Sequence, residues 1–334
     1  MAAPYSWLRP DPQGLYVVPA DCWIDPARAV DTALITHGHA DHARGGHGRT
    51  IATPATLAIM AVRYGTGAGA VPVEYGATLS LPGNVRATFV PAGHVLGSAQ
   101  ICLEHAGERA VVTGDYKRRP DPTCAPFEPM ACDVFITEAT FGLPVFRHPP
   151  IEQEIGRLLA ARAANPERCV MVGAYALGKA QRVIAELRRA GYAEPIWLHG
   201  AMERMCRLYE EHGVALGDLR LVSDAPKGGL GGQIIVCPPA ALNDRWSRRL
   251  PDPLTAMASG WMRVRQRARQ RTVALPLVIS DHADWDERTA TIAEVNPAES
   301  WITHGREDAL LRWCELNQRR ARALALVGYE DEDD

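Results

Sequence analysis

The sequence predicts an α/β protein in which a small parallel α/β domain interrupts a strand-rich domain. Residues 1–145 contain short segments rich in β-branched residues, such as LYVVP, TALIT and RATFVP, separated by glycine, proline or charged residues. Further along the chain, apolar residues recur at helical spacing and alternate with strand-like segments such as CVMVGAYA. We therefore expect one domain formed by residues 1–145 and 272–334 and a second formed by residues 146–271.

The strand-rich part is expected to contain one helix. Thr53 is a favoured helix-capping residue, and Pro54 suits the first helical position because its φ angle is fixed. Several polar residues follow directly after predicted strands, where a rigid sheet holds the loops that commonly carry catalytic groups.

The later segments show the alternation of helices and strands more clearly. A helix is expected from Ile151, and another is expected to stop at Gly191. After Asp284 the sequence predicts a helix, the strand ESWITHG, and a terminal helix from about Glu307 to Ala325.

The charge of the chain gives no indication of nucleic-acid binding by itself. The 334 residues carry 36 basic and 39 acidic side chains, with a net charge of −3, and 47% are hydrophobic. This composition excludes disordered, collagen-like and coiled-coil chains. Five acidic residues form the tail at 330–334, and nearly all basic residues are arginine, which suits bidentate contacts to phosphate.

The cysteines and the N-terminus indicate the cellular compartment. The eight cysteines include no C-x-x-C pair, so neither a disulfide framework nor a cysteine zinc site is predicted. The N-terminal segment lacks the basic and apolar regions of a signal peptide, and no apolar run is long enough to span a membrane. We therefore expect a cytoplasmic protein that does not contact membranes.

The sequence THGHADH, residues 36–42, offers several metal ligands directly after the strand TALIT. Histidines two residues apart point the same way in an extended segment, whereas the last two ligands turn toward a neighbouring position. This spacing suits a pair of metal ions; the alternative is a solvated histidine-rich loop. The potential ligands are His37, His39, Asp41 and His42.

Two further ligands are expected from the ends of later strands. His94 follows RATFV, and Asp115 follows RAVV. We assign His37, His39 and His94 to a first metal ion. Asp41 and His42 are assigned to a second, with Asp115 bridging the two. Zinc is the expected ion for imidazole and carboxylate ligands, and manganese is the alternative.

The order THGHADH, AGH (92–94) and TGD (113–115) resembles the metallo-β-lactamase superfamily. The resemblance implies an αββα sandwich. It also implies that Asp25, in the segment WID, orients a metal ligand through a hydrogen bond.

Later motifs resemble the β-CASP branch, which processes nucleic acids. These motifs are TEATFG (137–142), ALGKAQ (176–181), MASG (257–260), SDHAD (280–284) and THGRE (303–307). The resemblance implies that His304 completes the second metal site. It also implies that Glu138 and His282 form a hydrogen-bonded pair, with His282 as general acid. With Asp41 and Asp25, these residues would support phosphodiester hydrolysis by a hydroxide activated by two metal ions.

A second region is expected to contact the substrate. Ser259 and Gly260 are expected either to begin a helix whose free amides bind a phosphate or to form a simple cap. Arg263 and Arg265 begin an alternating run of arginines that would follow a nucleic-acid backbone, with Trp261 available for base stacking.

Overall, the chain most resembles the bacterial ligase-associated DNA exonucleases. That resemblance implies DNA end processing in repair, with an ATP-dependent DNA ligase and a helicase as partners. The alternative is a ribonuclease similar to RNase J or to the cleavage and polyadenylation endonuclease, because RNA-processing members have histidine at the position of His304. The late motifs disfavour a small-molecule hydrolase, and the complete ligand set disfavours a non-catalytic scaffold.

Overall fold

The computed structural model describes residues 5–326, except residues 66, 68, 251, 271 and 272 and the side chains of Arg265 and Gln270. The chain divides into two compact units, one formed by residues 1–147 and 282–334 and the other by residues 148–281. Among the described helices, none combines the length and the apolar character needed to cross a membrane. The predicted acidic tail, residues 330–334, lies outside the described residues.

The first segment of the chain contains most strands of the larger unit and one helix. The strands are β1 (Leu8–Asp11), β2 (Gly14–Val17), β3 (Cys22–Ile24), β4 (Thr32–Leu34), β5 (Arg49–Ala52), β6 (Ala70–Pro72), β7 (Thr78–Leu81), β8 (Val85–Pro91), β9 (Ala99–His105), β10 (Glu108–Val112) and β11 (Val134–Ala139). Between β5 and β6 lies helix α1 (Pro54–Tyr64), which begins after Thr53 as predicted.

The second unit alternates helices and strands. Its elements are α2 (Ile151–Ala163), β12 (Val170–Gly173), α3 (Lys179–Arg189), β13 (Ile196–Leu198), α4 (Gly200–Glu211), β14 (Leu219–Leu221), β15 (Ile234–Cys237), β16 (Leu254–Ala258), α5 (Arg265–Gln270) and β17 (Leu275–Leu277). The chain then returns to the first unit with α6 (Trp285–Val295), β18 (Glu299–Gly305), α7 (Glu307–Leu316) and β19 (Ala321–Ala323).

Two facing sheets form the centre of the larger unit. Strands β1 to β6 form one sheet in sequential order, and the other sheet has the order β19-β18-β11-β10-β9-β8-β7. Leu15 and Ile24 of the first sheet pack in one buried cluster with Phe89 and Ile101 of the second. Burial of this apolar surface is the main favourable contribution to folding of the unit.

Helices cover the outer faces of both sheets because the strands are apolar on both sides. On β11, Val134 and Ile136 face the opposing sheet, whereas Phe135 between them packs on the other side with Ile292 of α6. This alternation follows from the two-residue period of a strand. Met60 of α1 packs on the outer face of the first sheet. The predicted αββα sandwich is thus confirmed.

The second unit contains a parallel sheet with the order β14-β13-β15-β12-β16-β17. Because β17 pairs in parallel with β16, the chain leaves this unit at residue 281, later than the predicted boundary at 271. Strands β14 and β16 were not predicted.

The predicted length of the terminal helix was wrong. Helix α7 ends at Leu316, and residues 321–323 form β19 instead, in parallel with β18. Gln318 has a φ angle of 57°, which no α-helix can accommodate, so the helix cannot continue toward Ala325.

The contribution of the α1 cap to stability can be tested directly. The Thr53 hydroxyl accepts a hydrogen bond from the Thr56 amide at 3.2 Å and donates to the Gly97 carbonyl at 2.6 Å. We expect Thr53→Ala to lower the free energy of unfolding by about 1 kcal/mol in urea denaturation. Thr53→Ser, which keeps the hydroxyl, should preserve most of this stability, and equal losses in both variants would contradict the capping role.

Candidate metal centre

The histidine-rich loop after β4 is almost entirely buried. His37 is 0% exposed and His42 is 2% exposed. A turn separates the two halves of the loop, because the amides of His42 and Ala43 both donate to the His39 carbonyl, at 3.2 and 2.7 Å. Gly38 is required within the loop because a Cβ atom there would lie 2.5 Å from Ile59 Cγ2.

Three groups of potential metal ligands share the carboxylate of Asp115. Within each group the ligand atoms lie within 4.8 Å of one another. The first group contains His37, His39, His94 and Asp115; the second contains His42, Asp115 and His304; the third contains Asp115, Glu138 and His282. Asp41 lies beside the second group, with its Oδ2 atom 3.6 Å from His42 Nε2.

The first group fits a tetrahedral metal ion. His39 Nδ1 lies 2.9 Å from His94 Nε2 and 3.1 Å from His37 Nε2, which lies 3.4 Å from Asp115 Oδ2. Ligands of one tetrahedral zinc ion lie about 3.3 Å apart. Burial, together with repulsion from the neighbouring imidazoles, lowers the pKa of His37 well below its usual range, so His37 is neutral as a metal ligand must be.

The carboxylates around the second group attract positive charge. Burial by itself lowers the pKa of His42, but Asp115, Asp41 and Asp25 raise it to about 10. Burial also raises the pKa of Asp115 to about 7, against the opposing effect of His42. A metal ion competes with protons for such a site. The chemistry of both groups therefore fits divalent cations.

Asp25 fixes the orientation of His42. Its Oδ2 atom lies 2.8 Å from His42 Nδ1, so the other ring nitrogen, Nε2, faces Asp115 at 3.5 Å. Asp25 also accepts hydrogen bonds from the Thr36 amide at 2.8 Å and the Thr36 hydroxyl at 2.5 Å. The backbone of Asp25 has a φ angle of 44°, a left-handed conformation that aspartate tolerates better than most residues.

His304 reaches the centre through an irregularity between β11 and β18. Thr303 pairs with Glu138, but Ala139 pairs with Gly305, so His304 is an extra residue in the strand. Such a bulge redirects a side chain. His304 has a φ angle of 56°. The following Gly305 is required because a Cβ atom there would lie 2.4 Å from the Ala139 carbonyl oxygen.

Glu138 and His282 form the third group with Asp115. His282 Nδ1 lies 3.3 Å from Glu138 Oε1 and 3.9 Å from Asp115 Oδ2. Burial by itself raises the pKa of Glu138, but Arg288 and His282 together hold this pKa well below its usual range. Glu138 is thus an ionised acceptor beside the His282 ring.

Arg288 is a residue of this centre that the sequence analysis missed. It is 0% exposed and pairs with Glu138. A signal was present in the sequence: Arg288 falls at helical spacing between the apolar residues Trp285 and Ile292, so a charged residue occupies the buried face of α6.

The predicted substrate-contact residues lie in the other unit. Ser259 caps a 3-10 turn, Gly260–Arg263, rather than an α-helix, and its hydroxyl accepts from the Trp261 amide at 3.3 Å. The guanidinium of Arg267 lies 3.8 Å from the centroid of the Trp261 ring, which was expected to be available for stacking. Arg263 is exposed, and the side chain of Arg265 and all of Arg271 lie outside the described residues.

The larger unit has two facing sheets covered by helices, with histidine groups and a shared carboxylate at the strand ends. This arrangement is typical of a metal-binding αββα protein. The chain is similar to the metallo-beta-lactamase superfamily, whose family model matches residues 25–173. The predicted family resemblance is thus confirmed.

Similar proteins include nucleic-acid enzymes. A protein named "Probable DNA ligase" from Opitutus terrae is 29% identical over 296 residues, which cover 87% of this chain and 28% of the relative. "Endoribonuclease ysh-1" from Neurospora crassa is 29% identical over 223 residues, 54% of this chain and 26% of the relative. The chain therefore spans little more than a quarter of the length of these relatives.

One solved structure confirms the similarity of fold alone. A protein of unknown function from Enterococcus faecalis superposes with a TM-score of 0.59 at 14% identity, covering 90% of this chain and 80% of its own.

The hydrogen bond between Asp25 and His42 predicts a metal-binding defect. An amide at residue 25 loses one of the acceptor oxygens that Thr36 and His42 use, so His42 would no longer be held with Nε2 toward Asp115. We expect Asp25→Asn to weaken binding of one of the metal ions about 10- to 100-fold in a chelator-competition titration. The exposed Asp31→Asn is the control; unchanged affinity in Asp25→Asn would contradict this role.

Proposed function

We propose that this chain is a metal-dependent nuclease that hydrolyses phosphodiester bonds, and specifically a DNA exonuclease in DNA end processing and repair. The observation that carries the proposal is the shared carboxylate of Asp115, which joins two histidine groups to the Glu138–His282 pair. Phosphodiester hydrolysis needs a nucleophile on one side of phosphorus and a proton donor on the other, and these groups supply both sides.

The histidine groups supply the nucleophile side. His37, His39, His94 and Asp115 would hold one ion, and Asp41, His42, Asp115 and His304 a second. Divalent ions, with zinc the first candidate and manganese the second, would lower the pKa of the attacking water and offset charge on the phosphate. Asp25 keeps His42 in the tautomer that binds a cation through Nε2.

The Glu138–His282 pair supplies the proton-donor side. Nδ1 of His282 faces Glu138 Oε1 at 3.3 Å, so the carboxylate sets the direction of the imidazole ring. An ionised glutamate stabilises the protonated imidazole, which can then donate a proton to the departing oxygen. The pair would act on the leaving oxygen, whose charge is costly without a proton.

The name of one relative favours DNA as the substrate. The relative from Opitutus terrae, which matches most of this chain, is named as a probable DNA ligase. We therefore propose a role coupled to an ATP-dependent DNA ligase, with a helicase as a second partner. Ser259, Gly260, Arg263 and Arg265 remain our candidates for contacts to the nucleic-acid backbone, with arginine supplying the attraction to phosphate.

RNA is the second candidate substrate. Two observations favour it: His304 lies in the second ligand group, as the resemblance to RNA-processing members implies, and the relative from Neurospora crassa is named an endoribonuclease. The reaction chemistry is the same for both substrates, so direct comparison of the two is required.

We predict that the purified protein shortens end-labelled single-stranded DNA faster than an RNA of the same sequence. The assay compares oligonucleotides with and without a 5′-phosphate, resolved by gel electrophoresis. Removal of divalent ions by a chelator should abolish cleavage because the ligand groups alone cannot activate water, and added zinc or manganese should restore it. Cleavage of RNA but not DNA would select the second candidate, and cleavage of neither would overturn the proposal.

We predict that His42→Ala and Asp41→Ala lower kcat at least about 100-fold, because each removes a ligand of the second group. His212→Ala is the matched control: His212 lies at the end of α4, where its Nδ1 atom contacts the Leu208 carbonyl. Thermal unfolding and metal content should be measured on the same preparations. Full activity in a folded His42→Ala protein would refute the assignment of this group.

A further inference from the structure

Arg288 occupies a position where an apolar residue would be expected. The buried face of α6 contains Trp285, Ile292 and Val295, and Arg288 lies on this same face, 0% exposed. Removing a guanidinium from water is costly, and a buried ion pair seldom stabilises a fold more than packed apolar residues would. The presence of Arg288 therefore calls for a role beyond packing.

The contacts of Arg288 converge on one residue. Its Nη2 atom lies 2.8 Å from Glu138 Oε2, and its Nη1 atom donates to the backbone carbonyl of the same glutamate. The guanidinium also lies 5.6 Å from the centroid of the Tyr116 ring. Arg288 thus holds Glu138 by both its side chain and its backbone.

Glu138 is fixed from other directions as well. The Thr140 hydroxyl donates to Oε2 at 2.5 Å, and the Tyr116 amide donates to Oε1 at 3.2 Å. With Oε2 taken by Arg288 and Thr140, Oε1 is the oxygen that faces His282 Nδ1 at 3.3 Å. The orientation of the His282 ring therefore depends on the orientation of a carboxylate that Arg288 helps to hold.

We propose that Arg288 is a positioning residue for His282, acting through the carboxylate of Glu138. The inference rests on the proposed function, because it gives the Glu138–His282 pair a part in proton donation. Arg288 itself is enclosed and does not touch the substrate. Without it, the carboxylate would keep only the hydrogen bonds from Thr140 and Tyr116, and the direction of the His282 ring would be less firmly fixed.

A purely structural role of Arg288 predicts a different pattern of activity on two kinds of substrate. A general acid matters when the leaving oxygen is a poor leaving group, such as a nucleoside alkoxide, and matters little for p-nitrophenolate, which departs without a proton. Loss of positioning should therefore impair cleavage of an oligonucleotide and spare a p-nitrophenyl ester. Loss of the folded centre should impair both substrates equally.

The experiment compares Arg288→Met and Arg288→Lys with the wild-type protein on both substrates, the oligonucleotide and thymidine 5′-(p-nitrophenyl phosphate). For Arg288→Met we expect kcat on the oligonucleotide to fall about 10- to 100-fold with little change in KM. Turnover of the nitrophenyl ester and the metal content should stay near wild type. Arg288→Lys, which keeps the charge but not the planar fork, should recover part of the loss.

The matched control is Arg118→Met. Arg118 pairs with Glu294 and donates to the Thr291 hydroxyl, both on α6, so this variant also removes an arginine that contacts the same helix. It should leave both activities unchanged. Equal losses on the two substrates in Arg288→Met, or no loss on either, would overturn the positioning role.

A second measurement does not depend on catalysis. Nitrogen-15 NMR of histidine-labelled protein should show a hydrogen-bonded Nδ1 proton on His282 in the wild type and in Arg118→Met. This signal should shift or disappear in Arg288→Met. If the wild type cleaves no nucleic acid, the proposed function fails while this test still decides the positioning role; an unchanged signal in Arg288→Met overturns it.

Discussion

The buried carboxylate of Asp115 is the constraint on which the rest of the centre depends. It follows β10, which pairs with β9 on one side and with β11 on the other, so its position is fixed by the middle of a sheet. Burial raises its pKa to about 7, which means that its ionised form needs a nearby positive charge. The three ligand groups converge on this one side chain because it is the shared acceptor for any cation that they hold.

The backbone around the centre is held in conformations that most residues avoid. Gly114, directly before Asp115, has a φ angle of 54°, and a Cβ atom there would lie 2.6 Å from the Thr36 hydroxyl oxygen. That hydroxyl bonds to Asp25, which is itself in a left-handed conformation, as is His304. Strain of this kind persists only where the surrounding packing determines the backbone, and it is concentrated at functional sites. The two-sheet core supplies that packing.

Much of this arrangement could be predicted from local sequence. The strand segment RATFVP and the helices that begin after Thr53 and Asp284 depend on neighbouring residues, and all three appear in the structure as expected. The spacing of the histidine-rich loop and the order of the strand ends predicted the ligands from His37 to Asp115, whereas the motif resemblance added Asp25, Glu138, His282 and His304.

Other features depend on contacts that no local pattern encodes. The bulge at His304 arises from pairing between β11 and β18, which are far apart in sequence, and the pair between Arg288 and Glu138 joins residues 150 positions apart. Helix α7 ends early because residues 321–323, which follow it, form the edge strand β19 and pair with β18. Tertiary contacts override helix propensity in such segments.

The charge of the centre bears on how many cations it holds. Asp25, Asp41, Asp115 and Glu138 contribute four carboxylates, and Arg288 together with a protonated His282, the proposed proton donor, offsets two of them, so the formal charge is minus two with the other histidines neutral. One divalent ion would only neutralise the centre, whereas two would make it positive by two units. Because electrostatic interactions are strongest in a site withdrawn from water, a positive centre attracts an anionic phosphodiester and a neutral one does not. The carboxylates therefore favour two cations over one, in agreement with the separation of the histidines into two groups about Asp115.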